Sequence, residues 1–376
     1  MTDTESVPEP LSGTASTRLP GLDVTRAVAL IGVVIVNYHG FLNRGDDGID
    51  RSIGERIFHP FLGPLGTRFA ATFVIVAGMG VTLMTNRSRR TGHSDTIRAD
   101  RWKLARRGLL LYTGGLLLDW IWPGTILFFY GALFLASALL FTLRTRWIVG
   151  VGIVSAVAAA SIAWFRFEHM ATGHDVSWLD PEVTSPRNLL FRTFIGYTHP
   201  LFPWLAFMCV GIVIGRALPL SAYSRQRLVG VGMLMLSGSY LVSYFGSRIA
   251  RNHDSATWQF LLRTSPFDRG LLYTVGTVGS SVVVFCLVSW LADRFASSPG
   301  TVTLQHAGQM TLTLYVAHAL VFNAVVHWWG WVTPSGLGGA LIFSLLFWIA
   351  AIALGSLWHR TIGTGPLERL YRGFGG

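Results

Sequence analysis

Ten stretches of roughly 20 mostly apolar residues, each long enough to cross a bilayer as a helix, lie near 22–41, 67–86, 106–122, 124–143, 147–165, 198–216, 227–246, 270–291, 307–329 and 337–358. Polar linkers separate them, and two are long, Arg166 to Tyr197 and Ser247 to Arg269. The pattern predicts an all-α polytopic integral membrane protein, a bundle of about ten transmembrane helices with both termini cytoplasmic. One membrane domain is expected over 20–360, between a disordered cytoplasmic tail at 1–19 and a cytoplasmic C-terminal tail at 361–376.

Polar positions inside these stretches are ordered. The first carries Asp23, Arg26, Asn37 and His39. At about 100° per residue, Asp23, Arg26 and Asn37 fall within about 80° of one another, with Ala29, Leu30 and Val33 between them. Polar groups in hydrocarbon are costly and mark pathways or reactive sites, so this stripe should face other helices. Continued helix places His39 roughly 200° round from Asn37. It joins the stripe only if the helix ends near Tyr38, which Gly40 would allow. In the ninth stretch Thr311, Tyr315, His318 and Phe322 share one face, and His318 is expected about 16 Å into the helix, near the bilayer centre. Gly78 and Gly80 in the second stretch are expected to let another backbone pack closely.

Composition narrows the class. A chain that is 51% hydrophobic and 13% charged, with a mean hydropathy of +0.48, has far more apolar surface than a soluble domain can bury. Cys209 and Cys286 both sit within apolar stretches and read as packing residues, without a disulfide framework. The net charge of +11 becomes informative once sorted by side: the cytoplasmic segments hold 19 Lys/Arg against 8 Asp/Glu, the outer ones 11 against 11. That asymmetry follows the positive-inside rule. Its densest part runs from Arg87 through Arg106 and Arg107. Topology and contact with anionic lipid explain it, and it would equally form a basic mouth attracting a phosphate-bearing cofactor. No nucleic-acid partner is expected. The first long linker holds His169, His174 and Asp175, at a spacing that matches no metal-site template, and no metal is expected. The chain also lacks a Gly-x-Ser-x-Gly elbow, so a serine hydrolase has no support.

The run Leu22-Asp23-Val-Thr-Arg26-Ala-Val-Ala-Leu30, ending in Val36-Asn37-Tyr38, resembles the first helix of the heparan-α-glucosaminide N-acetyltransferase family and its bacterial relatives. It is more distantly similar to the acyltransferase-3 membrane proteins, whose first helix pairs an arginine with a histidine; Asn37 stands in that histidine's place. Further pieces carry the likeness along the chain: Thr125-Ile-Leu-Phe-Phe-Tyr-Gly131, His199-Pro-Leu-Phe-Pro-Trp204 with Gly211 and Gly215-Arg216, the run Ala307 to His318, and Gly365-Pro-Leu-Glu-Arg369.

The resemblance implies a membrane O- or N-acetyltransferase in the inner (plasma) membrane. Acetyl-CoA or another acyl-CoA would enter from the cytoplasm as co-substrate. The acceptor, a cell-envelope sugar or glycolipid, would wait outside. Asp23, Arg26, Arg106, Arg107, Tyr315 and His318 become candidates for holding the coenzyme, and Asn37 for polarising the thioester. His39 or His59 becomes the base. The family places its catalytic histidine in the loop between the first two helices, which speaks for His59. His39 needs only a helix end, and is preferred on that ground. His199, Trp204, Trp258 and Arg263 are the candidates for acceptor binding. A transporter or flippase of a lipid-linked or small polar envelope precursor is the alternative, its polar stripes lining a path.

Overall fold

The computed structural model describes residues 19–42, 52–179, 182, 185–196 and 198–375. The tail expected at 1–19 falls outside the described residues except for Leu19. The described residues are all-helical, with α1 (Pro20–Phe41), α2 (Ile53–Phe58), α3 (Arg68–Thr91), α4 (Ser94–Asp119), α5 (Leu127–Leu140), α6 (Thr145–Ala171), α7 (Pro186–Phe194) and α8 (Leu201–Gly215). They continue with α9 (Ala222–Asn252), α10 (Ala256–Leu261), α11 (Leu271–Arg294), α12 (Pro299–Gln309), α13 (Thr311–Phe322), α14 (Gly336–Thr361) and α15 (Pro366–Gly375). Serines start many of them: the Ser185, Ser221, Ser255 and Ser298 hydroxyls each accept a backbone N–H of the first turn. Ser52 and Glu55 form a reciprocal capping box on α2.

Every apolar stretch of the sequence lies on helix. Among the described residues seven segments are long and apolar enough to cross a membrane: α1, α3, α6, α9, α11, residues 311–328 and the first part of α14. Two more apolar helices, α5 and α8, are shorter. The remaining one, α4, is 26 residues long but carries Arg98, Arg101, Lys103, Arg106 and Arg107 between its start and its middle. The chain is a multi-pass membrane protein. Its outer helices show large apolar side chains to the surroundings, such as Val154, Leu234 and Leu354, each 67% exposed or more. Water would penalise such a surface and a bilayer accepts it. Cys209 and Cys286 are buried, unpaired thiols.

The centre of the bundle is α1, which packs on α3, α11, α12, α13 and α14. Close approach elsewhere depends on missing side chains. A Cβ on Gly211 of α8 would stand 2.0 Å from the Ile75 carbonyl oxygen of α3, and one on Gly78 would stand 2.5 Å from that of Met208. Gly80 is different, because its open face receives a guanidinium nitrogen of Arg26, 2.7 Å from where a Cβ would be.

The ninth stretch departs from expectation. It is not one helix over 307–329: α12 ends at Gln309, Met310 leaves helical geometry with φ −115° and ψ 22°, and α13 begins at Thr311. The cause lies elsewhere in the chain. Glu368 of α15 accepts the Leu312 and Thr313 amides at 2.7 and 3.0 Å and the Thr313 hydroxyl at 2.6 Å, capping a new helix start. His318 therefore stands two turns into a short helix, which then loosens into a π-helical segment at Asn323–Trp328.

Candidate active site

A cavity of about 430 Å³ opens between α1, α3, α4, α5, α13 and α15. The α1 stripe supplies one wall, with Asp23, Arg26, Leu30 and Val33 at helical spacing. Arg26 donates to Asp23 at 3.1 Å, and Gln309 donates to the other carboxylate oxygen at 3.4 Å. Arg107 and Tyr371 line the same cavity, the guanidinium lying 4.8 Å from the tyrosine ring centre. Burial pushes the Tyr371 hydroxyl up to about 12 against the pull of Arg107 and Arg26, so it stays a neutral donor. Tyr130 also lines the cavity, and its buried hydroxyl has no hydrogen-bond partner. A buried hydroxyl left so costs free energy.

Tyr315 closes the cavity at its far side. Its oxygen meets the Thr125 hydroxyl at 3.0 Å and accepts the Ile126 amide at 3.1 Å, which ties α13 to the α4–α5 hairpin. Behind it, 4.9 Å from ring to ring, stands His318, fully buried. His318 Nδ1 faces the Tyr315 carbonyl, which can only accept, so Nδ1 carries the proton. Nε2 is then the acceptor, and the Asn37 amide donates to it at 3.2 Å. Tyr38 donates to the His318 carbonyl at 3.0 Å, and the Trp122 ring lies 5.2 Å away. The stripe on α1 thus leads from Arg26 along the cavity to a histidine it meets through Asn37.

The two histidines weighed as base lie together elsewhere. Helix α1 continues through Phe41, so the condition for His39 to join the stripe is not met and it turns away from Asn37. It is buried, and its Nδ1 donates to the Phe58 carbonyl at 2.9 Å. His59 is buried too, its ring 6.5 Å from that of His39. Its Nδ1 accepts the Phe61 and Leu62 amides at 3.2 and 3.0 Å. The pair therefore holds opposite tautomers, with Nε2 the basic nitrogen in His39 and the protonated one in His59.

Residues 18–245 match the heparan-alpha-glucosaminide N-acetyltransferase catalytic family. That is more than half of the chain. The protein belongs to this family. Residues 224–374 match a second family, described as a protein of unknown function, DUF418. No curated protein matches the chain. Membership in the N-acetyltransferase family makes this a transmembrane acetyltransferase in general terms.

Of the residues considered for the coenzyme in this family member, Asp23, Arg26, Arg107 and Tyr315 line the cavity, and His318 lies behind Tyr315. Arg106 does not. It is exposed and borders a separate depression with Asp95, Arg98 and Lys103, because successive residues diverge by about 100° on α4. The acceptor candidates also separate. His199 packs its ring 4.6 Å from that of Trp204, which is 2% exposed and serves as core. Trp258 and Arg263 lie instead in the 247–269 linker, both exposed. Tyr130, Tyr371, Gln309 and Glu368 escape the sequence reading. Tyr130, Gln309 and Glu368 do lie within pieces that carry the family likeness, Thr125 to Gly131, Ala307 to His318 and Gly365 to Arg369, while Tyr371 lies outside them.

Proposed function

We propose that the protein moves an acetyl or other short acyl group from cytoplasmic acyl-CoA, held in the 430 Å³ cavity, to an extracytoplasmic envelope sugar or glycolipid. The observation that carries the reading is the line from Arg26 through the cavity and past Tyr315 to the Asn37–His318 pair. Arg26, Arg107 and Arg372 supply donors that suit a polyanionic coenzyme, and Tyr130 an unused hydroxyl. Location in the plasma membrane, with the cavity mouth inward, follows from the same assignment.

The chemistry is direct transfer. The acceptor's oxygen or nitrogen attacks the thioester carbonyl carbon while His318 Nε2 takes its proton. The Nδ1–H bond to the Tyr315 carbonyl steadies the imidazolium that forms. The Asn37 amide, released from Nε2, donates to the oxygen on which negative charge grows. The C–S bond then breaks, and the proton on His318 passes to the departing thiolate. Tyr315 must swing aside for this, since His318 is fully buried behind it. A second reading assigns the base to His39, and the observation favouring it is the fixed tautomer that leaves Nε2 basic.

Coenzyme binding to purified protein is the decisive measurement. Arg26→Gln should weaken acetyl-CoA binding roughly tenfold or more, the range for losing a hydrogen bond between charged groups in a partly buried site. An unchanged affinity in a folded Arg26→Gln variant would remove the cavity as the donor site. A protein that binds no acyl-CoA but moves a lipid-linked sugar between leaflets would make it a flippase.

A further inference from the structure

Another large cavity, about 460 Å³, lies on the His39 side of the bundle, linked to that end of α1 through the Phe267, Phe61 and His59 rings. It is bounded by α6, the start of α8, α10 and the linker that follows α10. One wall is apolar: Ala159, Ile162 and Ala163 share a face of α6, the helix that also shows Ile153, Val154 and Val157 outward. A turn further along α6 the lining becomes charged, with Arg166, Arg263, Asp268 and Arg269.

These charges are positioned by the backbone. Arg166 donates to the Leu179 carbonyl and Arg269 to the Ile195 carbonyl, each at 2.9 Å. Arg269 holds φ at +55°, a conformation that non-glycine residues avoid unless their surroundings impose it. Arg263 lies 5.6 Å from the Phe260 ring centre, and that ring stacks on Phe167 at 4.4 Å and 9°. Asp268 pairs loosely with one member of this set. It reaches Arg263 only at 3.9 Å, and its Oδ2 is buried without a hydrogen bond. Burial holds its acid above the ordinary carboxylate range although Arg263 pulls it down.

Three guanidinium groups beside an apolar helix face suit a ligand with an anionic head and a hydrocarbon tail. We infer that this cavity binds the phosphate headgroup of a membrane lipid, its anion between Arg166, Arg263 and Arg269 and its tail along Ala159, Ile162 and Ala163. Arginine forks match phosphate oxygens in pairs, and a soluble phosphate would leave the α6 wall without use. Two ring contacts link the cavity to the histidine pair: Phe267 of its lining packs 5.2 Å from Phe61, which is 6.2 Å from the His59 ring. A lipid-borne acceptor would be presented on this side under the proposed function. Binding itself does not rest on that reading.

The test uses the full-length protein in phosphatidylcholine nanodiscs, titrated with phosphatidic acid, with bound lipid counted by native mass spectrometry. Selective retention of phosphatidic acid is expected, with Arg263→Gln/Arg269→Gln lowering its affinity roughly tenfold or more. Should the double variant fail to fold, Arg263→Lys keeps the charge and removes the fork, and a several-fold loss is expected. Phe260→Ala should weaken the lipid as well. Equal retention of phosphatidylcholine and phosphatidic acid, unchanged in the variants, overturns the inference. So does complete displacement by millimolar inorganic phosphate, which would mark a soluble-anion site. Acetyl-CoA binding measured on the same sample reports the donor cavity separately, so the two proposals fail by different readings.

Discussion

His318 keeps its two ring nitrogens in different company, an arrangement that the proposed base needs and packing alone does not require. One nitrogen is held by the Tyr315 carbonyl and the other by the Asn37 amide, so the ring is oriented before any substrate arrives. His318→Ala should cut transfer by roughly 10²–10⁴-fold, the usual contribution of a positioned acid–base group. Acetyl-CoA affinity should change little, which separates a lost base from a lost binding contact. Full transfer in His318→Ala together with its loss in His39→Ala would move the base to the other face of α1. Tyr130 offers a sharper contrast. Tyr130→Phe removes a buried hydroxyl that has no partner, so the empty protein should gain up to roughly 1 kcal/mol of stability. The same variant should bind acetyl-CoA several-fold more weakly. A stability loss in thermal unfolding, or unchanged affinity, would show that the hydroxyl is not waiting for a ligand.

Helix packing decides what the residues can reach. Gly211 and Gly78 bring α3 and α8 to backbone contact, and a Cβ at Gly211 would press within 2.0 Å of the Ile75 oxygen. Gly211→Ala should therefore destabilise by about 1–3 kcal/mol or more, read as a lower unfolding midpoint, because overpacking forces the two backbones apart. An unshifted midpoint would mean that the helices slide apart without cost. Periodic features of this kind were legible beforehand: the apolar stretches became helices, and the Asp23–Arg26–Asn37 stripe does face the interior. The break at Met310 was not legible. Nothing in Ala307-Gly-Gln-Met-Thr311 forbids helix, and the interruption comes from Glu368, more than fifty residues away in sequence. Tyr371 and Glu368 went unnoticed as cavity residues for a related reason: Leu367, Leu370, Tyr371 and Phe374 recur at helical spacing, but that period does not say which helices the segment packs on. Glu368→Ala should loosen α15 and the start of α13 together, seen as faster amide exchange at Leu312 and Thr313.

The arrangement of the whole bundle fixes how donor and acceptor could meet, and it depends on sidedness. Asp23 and Arg26 at the start of α1 and Glu368 and Tyr371 of α15 line one cavity, so both ends of the described chain lie at the same end of the bundle. The 460 Å³ cavity and the His39–His59 pair lie towards the other end of α1. Under the proposed function the first end faces the cytoplasm, where coenzyme A is made and where the charge asymmetry would put it. Single cysteines can test this, because the two native thiols are buried and should react slowly. Ser94 at the start of α4 and Ser177 in the linker after α6 are both exposed and suit the purpose. In intact cells a membrane-impermeant maleimide should label Ser177→Cys at once and Ser94→Cys only after permeabilisation. The reverse pattern would put the basic cavity outside, where no acyl-CoA is supplied, and would end the transfer scheme whatever the histidine variants showed. Labelling of both in intact cells would place α4 and the α6–α7 linker on one side, which is incompatible with α4, α5 and α6 each crossing the membrane.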